Sequence, residues 1–166
     1  MKSAFRIVSV FLIILISHYT SLCQTYKFYQ TKNIHNQLRL NIKTGEVYQI
    51  QDDGQTYLVH PATTPDNQNP DRYILQKTEN IWTYILLDQY SGKLWQCQFS
   101  VKGLEYISSW EINTVPLSYS ESKKFSIEPM ISMFQFHLYN EDTGEIYQFQ
   151  WSTKEGNEYR WIKKIK

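Results

Sequence analysis

Side chains that could do chemistry are present in this sequence, but they are scattered. After position 23 the histidines are His35, His60 and His137. None of them lies at the H-x-x-x-H or H-x-H spacing that brings two imidazole rings to one metal ion. The sequence also contains no G-x-S-x-G nucleophile elbow and no phosphate-binding glycine loop. We therefore predict no metal site, no cofactor and no catalytic residues, and we favour a non-enzymatic protein over an enzyme.

Two pairs of adjacent carboxylates, at positions 52–53 and 141–142, lie at expected turns, where solvated charge is the default. A glycosidase needs two carboxylates set across a cleft. Such a cleft, or a Ser/His pair in contact, would favour an alternative function, a small secreted hydrolase or an inhibitor of one. That alternative would act through the irregular loops at residues 61–71 and 113–124, which are rich in Pro, Asn, Ser and Thr.

Four aromatic residues are the candidate ligand-binding residues. They are Trp82, Tyr84, Phe134 and Phe136. They belong to the second and third copies of an internal repeat that is described below. In the first copy His35 stands where the others have Trp82 and Phe134, and Gln37 stands where they have Tyr84 and Phe136. One interpretation buries the aromatic rings against a neighbouring copy, while the first copy meets water. The other makes them an exposed patch for a sugar or a partner protein, because flat rings are desolvated at low cost. The sequence leaves both interpretations open.

A threefold internal repeat supplies the elements that would position these residues. Residues 33–51, 80–98 and 132–150 each contain an apolar run, a turn and an alternating aromatic run. The turn residues are Asn41 and Gly45, Asp88 and Gly92, and Asn140 and Gly144. The Asn and Asp side chains can accept backbone hydrogen bonds two residues on, and the glycines supply the positive φ that a hairpin loop needs. We interpret these residues as turn-forming. The loop residues between them differ among the copies, so a shared metal site is not expected.

Alternation in the second strand of each hairpin separates an aromatic face from a glutamine face. Trp95, Cys97 and Phe99 point one way in the second copy, whereas Gln96 and Gln98 point the other. We expect the aromatic face to be core. Cys97 belongs to it and is therefore interpreted as a buried small hydrophobe.

The hairpin at residues 86–96, LLDQYSGKLWQ, resembles the L-D-x-x-T-G-x-x-W hairpin of quinoprotein-type β-propeller blades. The first copy departs from this pattern, with Asn41 in place of Asp and Tyr48 in place of Trp. The resemblance implies a stacked antiparallel repeat. It implies no quinone cofactor, because the hairpin is mostly a structural signature.

The expected fold is all-β, with three tandem antiparallel repeats of about four strands each, at approximately residues 24–65, 71–116 and 123–166. We expect a β-trefoil-like closure into a single domain, because such a closure leaves no open sheet edge. The alternative is a set of propeller-like blades. Propellers usually have four to eight blades, so three copies would require a second chain to complete the ring.

Residues 1–23 are predicted to be a signal peptide. Lys2 and Arg6 precede an apolar run of about ten residues, and a short polar segment ends at Cys23. The apolar run is too short for a membrane-spanning helix, and nothing later in the chain is longer. The mature protein is then secreted or periplasmic. The alternative is a protein anchored through a lipid on Cys23, although Leu22 fits a bacterial lipoprotein motif poorly.

Charge excludes one class of partner. The whole chain has 17 basic and 16 acidic residues. Removal of Lys2 and Arg6 with the signal peptide leaves fewer basic than acidic residues. No basic field remains to bind nucleic acid. A single remaining cysteine cannot form an internal disulfide, so the core alone must stabilise the domain.

The sequence thus predicts an exported, non-enzymatic binding or interaction module of a bacterial envelope or the extracellular space. A glycan or a protein would be its ligand, and oligomerisation is possible. The motivation is a repeat without any unique polar cluster, which suits a rigid scaffold that presents loops and aromatic side chains.

Overall fold

The computed structural model describes residues 25–63, 69, 71–112, 124–154 and 156–165. The predicted signal peptide, with Cys23, and most of the two irregular loops lie outside the described residues. The strands are β1 (Tyr26–Gln30), β2 (Asn36–Asn41), β3 (Val47–Gln51), β4 (Thr56–His60), β5 (Tyr73–Lys77), β6 (Thr83–Asp88), β7 (Leu94–Gln98), β8 (Ser108–Glu111), β9 (Phe125–Pro129), β10 (Gln135–Asn140), β11 (Ile146–Gln150) and β12 (Trp161–Lys164). Short 3₁₀ helices, Leu104–Tyr106 and Asn157–Tyr159, precede β8 and β12.

The strands form three four-stranded antiparallel sheets, each an up-and-down meander of strands consecutive in sequence. We call β1–β4 the first unit, β5–β8 the second and β9–β12 the third. The prediction of an all-β fold with three four-stranded repeats is therefore confirmed. The trefoil-like closure is not confirmed, because the described strands form three separate sheets and no closed barrel.

The turn between the second and third strands is built the same way in every unit. Oδ1 of Asn41 accepts hydrogen bonds from the backbone N–H groups of Lys43 and Thr44, at 3.0 and 3.2 Å. Gly45 has a φ of 80° and donates its N–H to the Asn41 carbonyl at 2.9 Å. Gly92 and Gly144 have the same positive φ, 71° in both, and the same bond to the residue four positions earlier. A non-glycine residue would be strained at these positions, so each hairpin is fixed locally.

The core lies between the units rather than inside one of them. One cluster joins the first and second units: Leu38, Leu40, Ile42, Val47, Val59, Tyr73, Leu75, Tyr84, Leu86, Trp95, Cys97 and Phe99. The other joins the second and third: Ile85, Leu87, Leu94, Ile112, Phe125, Ile127, Phe136, Leu138, Tyr147, Phe149, Trp151 and Ile162. Neither cluster joins the first unit to the third. Three sheets are therefore stacked face to face, and no other described residues cover the outer faces of the first and third units, which we call the open ends of the stack.

Each sheet has two faces, which the strand alternation separates. We call the face towards the next unit the trailing face; it carries Leu38, Leu40 and Val47 in the first unit, and Ile85, Leu87 and Leu94 in the second. We call the other the leading face; it carries Tyr84, Leu86 and Cys97 in the second unit, and Phe136, Leu138 and Phe149 in the third. Trailing face meets leading face at both internal interfaces.

A buried glutamine clasps each interface. Nε2 of Gln49, in the first unit, donates to the carbonyl of Ser100 at 2.8 Å, and its Oε1 accepts the Ser100 N–H at 3.2 Å. Gln96, in the second unit, makes the same pair of bonds to Ser152, at 2.8 and 3.1 Å. Both glutamines are completely buried. Their amides bond backbone groups that the interface buries, so the same clasp fixes the register of both interfaces.

Candidate functional site

Tyr84 and Phe136, two of the four candidate aromatic residues, are core residues. Each ring is 2 % exposed, and the two belong to different clusters on opposite sides of the second unit. The interpretation of four rings in one exposed patch is therefore corrected. Tyr84 and Phe136 lie on leading faces that the preceding unit covers, so they are unavailable to a ligand.

Trp82 and Phe134, the other two, lie half-buried at the rim of their interfaces. Trp82 packs edge-on against Phe99, with ring centroids 5.5 Å apart, and Phe134 packs against Trp151 at 4.9 Å. The indole and the phenyl ring have exchanged places between the two units. We call each of these positions the corner pair of its unit, and the corner pair of the second unit borders a pocket.

This pocket lies beside Trp82 and has a volume of about 280 Å³. Its lining consists of Asn80, Trp82, Gln98, Phe99, Ser100, Lys102, Tyr106 and Thr153. Thr153 belongs to the third unit and the rest to the second, so the pocket lies at the junction between two units. We call it the junction pocket.

Local hydrogen bonds position its walls. Asn80 begins the turn that leads into β6, and its Oδ1 accepts the backbone N–H of Trp82 at 2.8 Å. Gln98 ends β7, and its Nε2 donates to the carbonyl of Tyr106 at 3.3 Å. The latter bond ties the 3₁₀ helix to the strand and leaves the Tyr106 side chain 50 % exposed at the pocket rim. The site is therefore held by strand ends and short turns, which are rigid supports.

The lining combines aromatic rings with polar groups and one cation. Amide groups come from Asn80 and Gln98, hydroxyl groups from serine, threonine and tyrosine, and an ammonium group from Lys102. None of the lining residues carries a carboxylate or an imidazole. The arrangement can hydrogen-bond a polar ligand against a ring, but it offers no general acid or base. Sequence reasoning found Trp82 but missed Tyr106 and Lys102, because nothing in the repeat pattern marks an irregular segment as part of a pocket.

A Ser/His pair in contact exists, but in the interior. Nδ1 of His60 lies 2.5 Å from Oγ of Ser109, between β4 and β8, and the imidazole ring packs on Trp95 at 5.1 Å. Burial lowers the pKa of His60 to about 4 from its ordinary 6.5, so the ring is neutral at pH 7. Its Nε2 is buried without a hydrogen-bond partner among the described residues.

The surroundings of this pair are unlike those of a catalytic dyad. No carboxylate orients the His60 ring, since its second nitrogen has no partner in the described part of the chain. The neighbouring Cys97 is fully buried, and desolvation raises the pKa of its thiol to about 12. A thiol with such a pKa remains protonated, so Cys97 is chemically inert in the folded protein.

No protein-family model, no curated protein and no solved structure matches this chain. The likeness of the hairpins to propeller-blade repeats therefore stays a prediction. Among the described residues, no helix is long and apolar enough to cross a membrane, and no group of three or more His, Cys, Asp or Glu side chains could hold a metal ion.

Proposed function

We propose that this chain is an exported, non-enzymatic carbohydrate-binding module and that the junction pocket is its ligand site. The observation that carries the proposal is the composition of the lining, in which aromatic rings stand beside uncharged hydrogen-bonding groups without a carboxylate. Export rests on the predicted signal peptide.

The aromatic walls favour a ligand with an apolar face. Trp82 is half-buried and packs against Phe99, while Tyr106, also in the lining, is half-exposed. Rings that are already immobilised lose little conformational entropy when a flat ligand stacks on them. A pyranose ring offers such a face through its axial C–H groups.

The polar lining favours a ligand with many hydroxyl groups. The side-chain amide of Asn80 retains its donor groups beside the acceptor that Trp82 uses, and the indole N–H of Trp82 has no hydrogen-bond partner within the described residues. The exposed Lys102 adds a cationic donor, which also suits a sugar that carries an acidic group. The pocket volume of about 280 Å³ lies at the small end of ligand sites, which limits the contact to a single sugar ring.

The test is an array of bacterial, plant and animal glycans, followed by titration calorimetry with any glycan that binds. Tyr106→Ala removes a half-exposed ring from the pocket rim, and we expect it to weaken binding about tenfold, the loss expected for one stacking contact. Trp82→Phe is expected to act in the same direction. It introduces the residue that the third unit has at this position, Phe134, so the fold is retained.

The matched control is Tyr159→Ala. Gln150 donates to the Tyr159 carbonyl at 3.4 Å, as Gln98 does to Tyr106, so the two tyrosines are equivalent in the fold. Tyr159 does not line the junction pocket. Absence of any array signal above background would overturn the proposal, as would equal losses from Tyr106→Ala and Tyr159→Ala.

The alternative function, a small hydrolase or an inhibitor of one, has a single observation on its side, the contact between His60 and Ser109. A hydrolase that used this pair would lose its activity in the Ser109→Ala variant. We expect no such activity in the parent protein, because His60 is 3 % exposed and a substrate cannot reach it.

A further inference from the structure

The two open ends of the stack are halves of the same kind of interface. At both internal interfaces a trailing face packs on a leading face, with the glutamine clasp in the same place. The leading face of the first unit and the trailing face of the third unit have no neighbour within the described residues. We propose that a second copy of this chain covers both, so that two chains close head to tail into a ring of six units.

The third unit carries the glutamine half of a clasp. Gln148 matches Gln49 and Gln96 in the hairpin and lies half-buried on the trailing face. Its Nε2 donates to Oε1 of Gln135, at 3.2 Å, a neighbour on the same sheet. The equivalent of the two glutamines that clasp the internal interfaces is thus present on the outer face of the third unit.

The first unit carries the other half, at Asp53. The Asp53 side chain accepts the N–H of the residue two positions on, at 2.9 Å, as Ser100 and Ser152 do, at 3.0 Å each. The residue before Asp53, Asp52, donates its N–H to the carbonyl of His35 at 3.0 Å. In the same way and at the same distance, Phe99 donates to Trp82 and Trp151 to Phe134. Asp53 is therefore equivalent to the two clasped serines, and its backbone N–H and carbonyl have no partner in the described part of the first unit.

Charge complementarity supports the match. Lys163 lies directly beside Gln148 in the sheet register and is exposed. Asp53 occupies the clasp position, and Asp52 precedes it, with a side chain that is 62 % exposed and contacts Nδ1 of His35. A clasp between Gln148 and Asp53 therefore brings an ammonium group towards two carboxylates.

Apolar surface at the leading face of the first unit supports the match as well. Phe28 is 55 % exposed on β1, at the position that Leu75 and Ile127 occupy in the buried interfaces of the later units. The opposing trailing face offers Tyr139 and Ile146, which pair with each other in the hairpin and are half-buried. Both faces also carry polar residues, so we expect a reversible dimer rather than a permanent one.

The number of units fits the closure. A contact between unlike faces that repeats with a constant rotation must either close or grow into a filament. Three units in one chain leave the ring open, whereas two chains supply six units, within the four to eight blades of known propellers. A closed ring also removes both exposed end faces at once.

The test is sedimentation equilibrium of the mature chain over a range of concentrations, where we expect a monomer–dimer equilibrium. Lys163→Glu changes the trailing face and Phe28→Glu the leading face, and each is expected to weaken dimerisation at least tenfold. Both residues are exposed, so the variants should fold, which circular dichroism checks. Lys93→Glu, in a turn of the second unit, is the control for charge and should leave the dimer unchanged.

Mixing the two variants identifies the head-to-tail arrangement. The Phe28→Glu chain retains its trailing face and the Lys163→Glu chain its leading face, so the mixture recovers one of the two contacts and part of the dimer. A protein that is monomeric at all concentrations would overturn the proposal. So would a dimer that either variant leaves intact, or a series of species larger than a dimer that grows with concentration.

Discussion

At one corner of each unit the same backbone bond is flanked by different side chains. The N–H of Asp52 donates to the carbonyl of His35 at 3.0 Å, and the corner pairs of the second and third units are joined by the same bond at the same length. In the later units the flanking side chains are two packed aromatic rings. In the first unit they are a histidine and an aspartate in polar contact, with Nδ1 of His35 2.6 Å from Oδ2 of Asp52 and both side chains more than half exposed.

This difference separates the backbone geometry, which is set within each hairpin, from the side-chain types, which depend on packing against a neighbouring unit. The backbone of the corner follows from the turn and the register, which are local and repeat in every unit. The type of side chain at the corner, by contrast, depends on whether another unit packs against it. The corner of a leading face that packs on a preceding unit carries aromatic rings, whereas the corner of the first leading face carries polar side chains.

The segment after the third strand follows the same rule. In the first unit a tight turn leads to β4, with Gly54 at a φ of 84°. The second and third units have longer segments with a 3₁₀ helix, and these reach the preceding unit. Arg160, for example, donates to Oε1 of Gln96 at 3.0 Å and stacks over Trp110 at 4.5 Å. The longer segments thus occur in the two units that have a preceding unit to contact.

The largest effect is expected from Arg72→Ala, which tests a feature of the second unit that the others lack. Arg72 forms a two-pronged ion pair with Asp88, at 3.0 and 2.7 Å, and both side chains are buried. Removal of the arginine leaves a buried carboxylate without its counter-ion, which costs about 3–5 kcal/mol. Urea unfolding measures the loss.

The control is the double variant Arg72→Thr with Asp88→Asn. It reproduces the first unit, where Thr25 and Asn41 occupy these positions, as the matching backbone bonds show. We expect it to recover more than half of the lost stability, since no buried charge remains. Equal losses in the single and double variants would mean that the turn of the second unit is stabilised by something other than the ion pair.

Much of this architecture could be predicted from the sequence, because the hairpin signals are local. Asn41, Asp88 and Asn140, with the glycines that follow them, mark three hairpins, and the alternation after each one assigns the faces. The closure could not be predicted, since it depends on which faces meet in space. The burial of Gln49 and Gln96 was missed for the same reason: a glutamine that alternates with aromatic residues has the pattern of a solvent-exposed position until its partner unit is known.

The interface between the first two units should weaken on acidification through His60. Burial lowers its pKa to about 4 from 6.5, so the unfolded chain takes up a proton in this range and the folded chain does not. Stability is therefore highest above pH 6.5 and falls as the pH approaches 4, by about 3 kcal/mol. Urea unfolding at several pH values measures the slope.

His60→Gln is the matched variant for this titration. The amide can keep a hydrogen bond with Ser109 but carries no charge at any pH. We expect the variant to lose less stability than the parent between pH 6.5 and 4, and carboxylates elsewhere contribute equally to both proteins. Parallel curves for the two proteins would show that His60 is not the group that titrates.

A smaller difference is expected between Gln96→Leu and Gln148→Leu, which compares an internal clasp with the one at the end of the stack. Gln96→Leu removes the acceptor of the buried Ser152 N–H and of the Arg160 Nε–H and leaves the Ser152 carbonyl with Arg160 as its donor, at a cost of about 2–3 kcal/mol. Among the described residues Gln148 bonds only to its own unit, so its replacement should change the stability of the dilute monomer by less than about 0.5 kcal/mol. Thermal unfolding at low protein concentration measures both. Similar losses in the two variants would contradict the assignment of the clasp to the interfaces.

The smallest effect is expected at the corner of the first unit, where His35→Ala removes the exposed contact with Asp52. Solvent screens such a pair, and its geometry restricts two side chains, so its removal should cost about 1 kcal/mol or less. Phe134→Ala, at the matching corner of the third unit, removes a half-buried ring that packs on Trp151 and should cost clearly more. Thermal unfolding of the two variants, at a concentration where the chain is monomeric, compares them directly. If the His35 variant lost as much as the Phe134 variant, the first corner would be part of a packed interface in the monomer, and the contrast between open and covered leading faces would not hold.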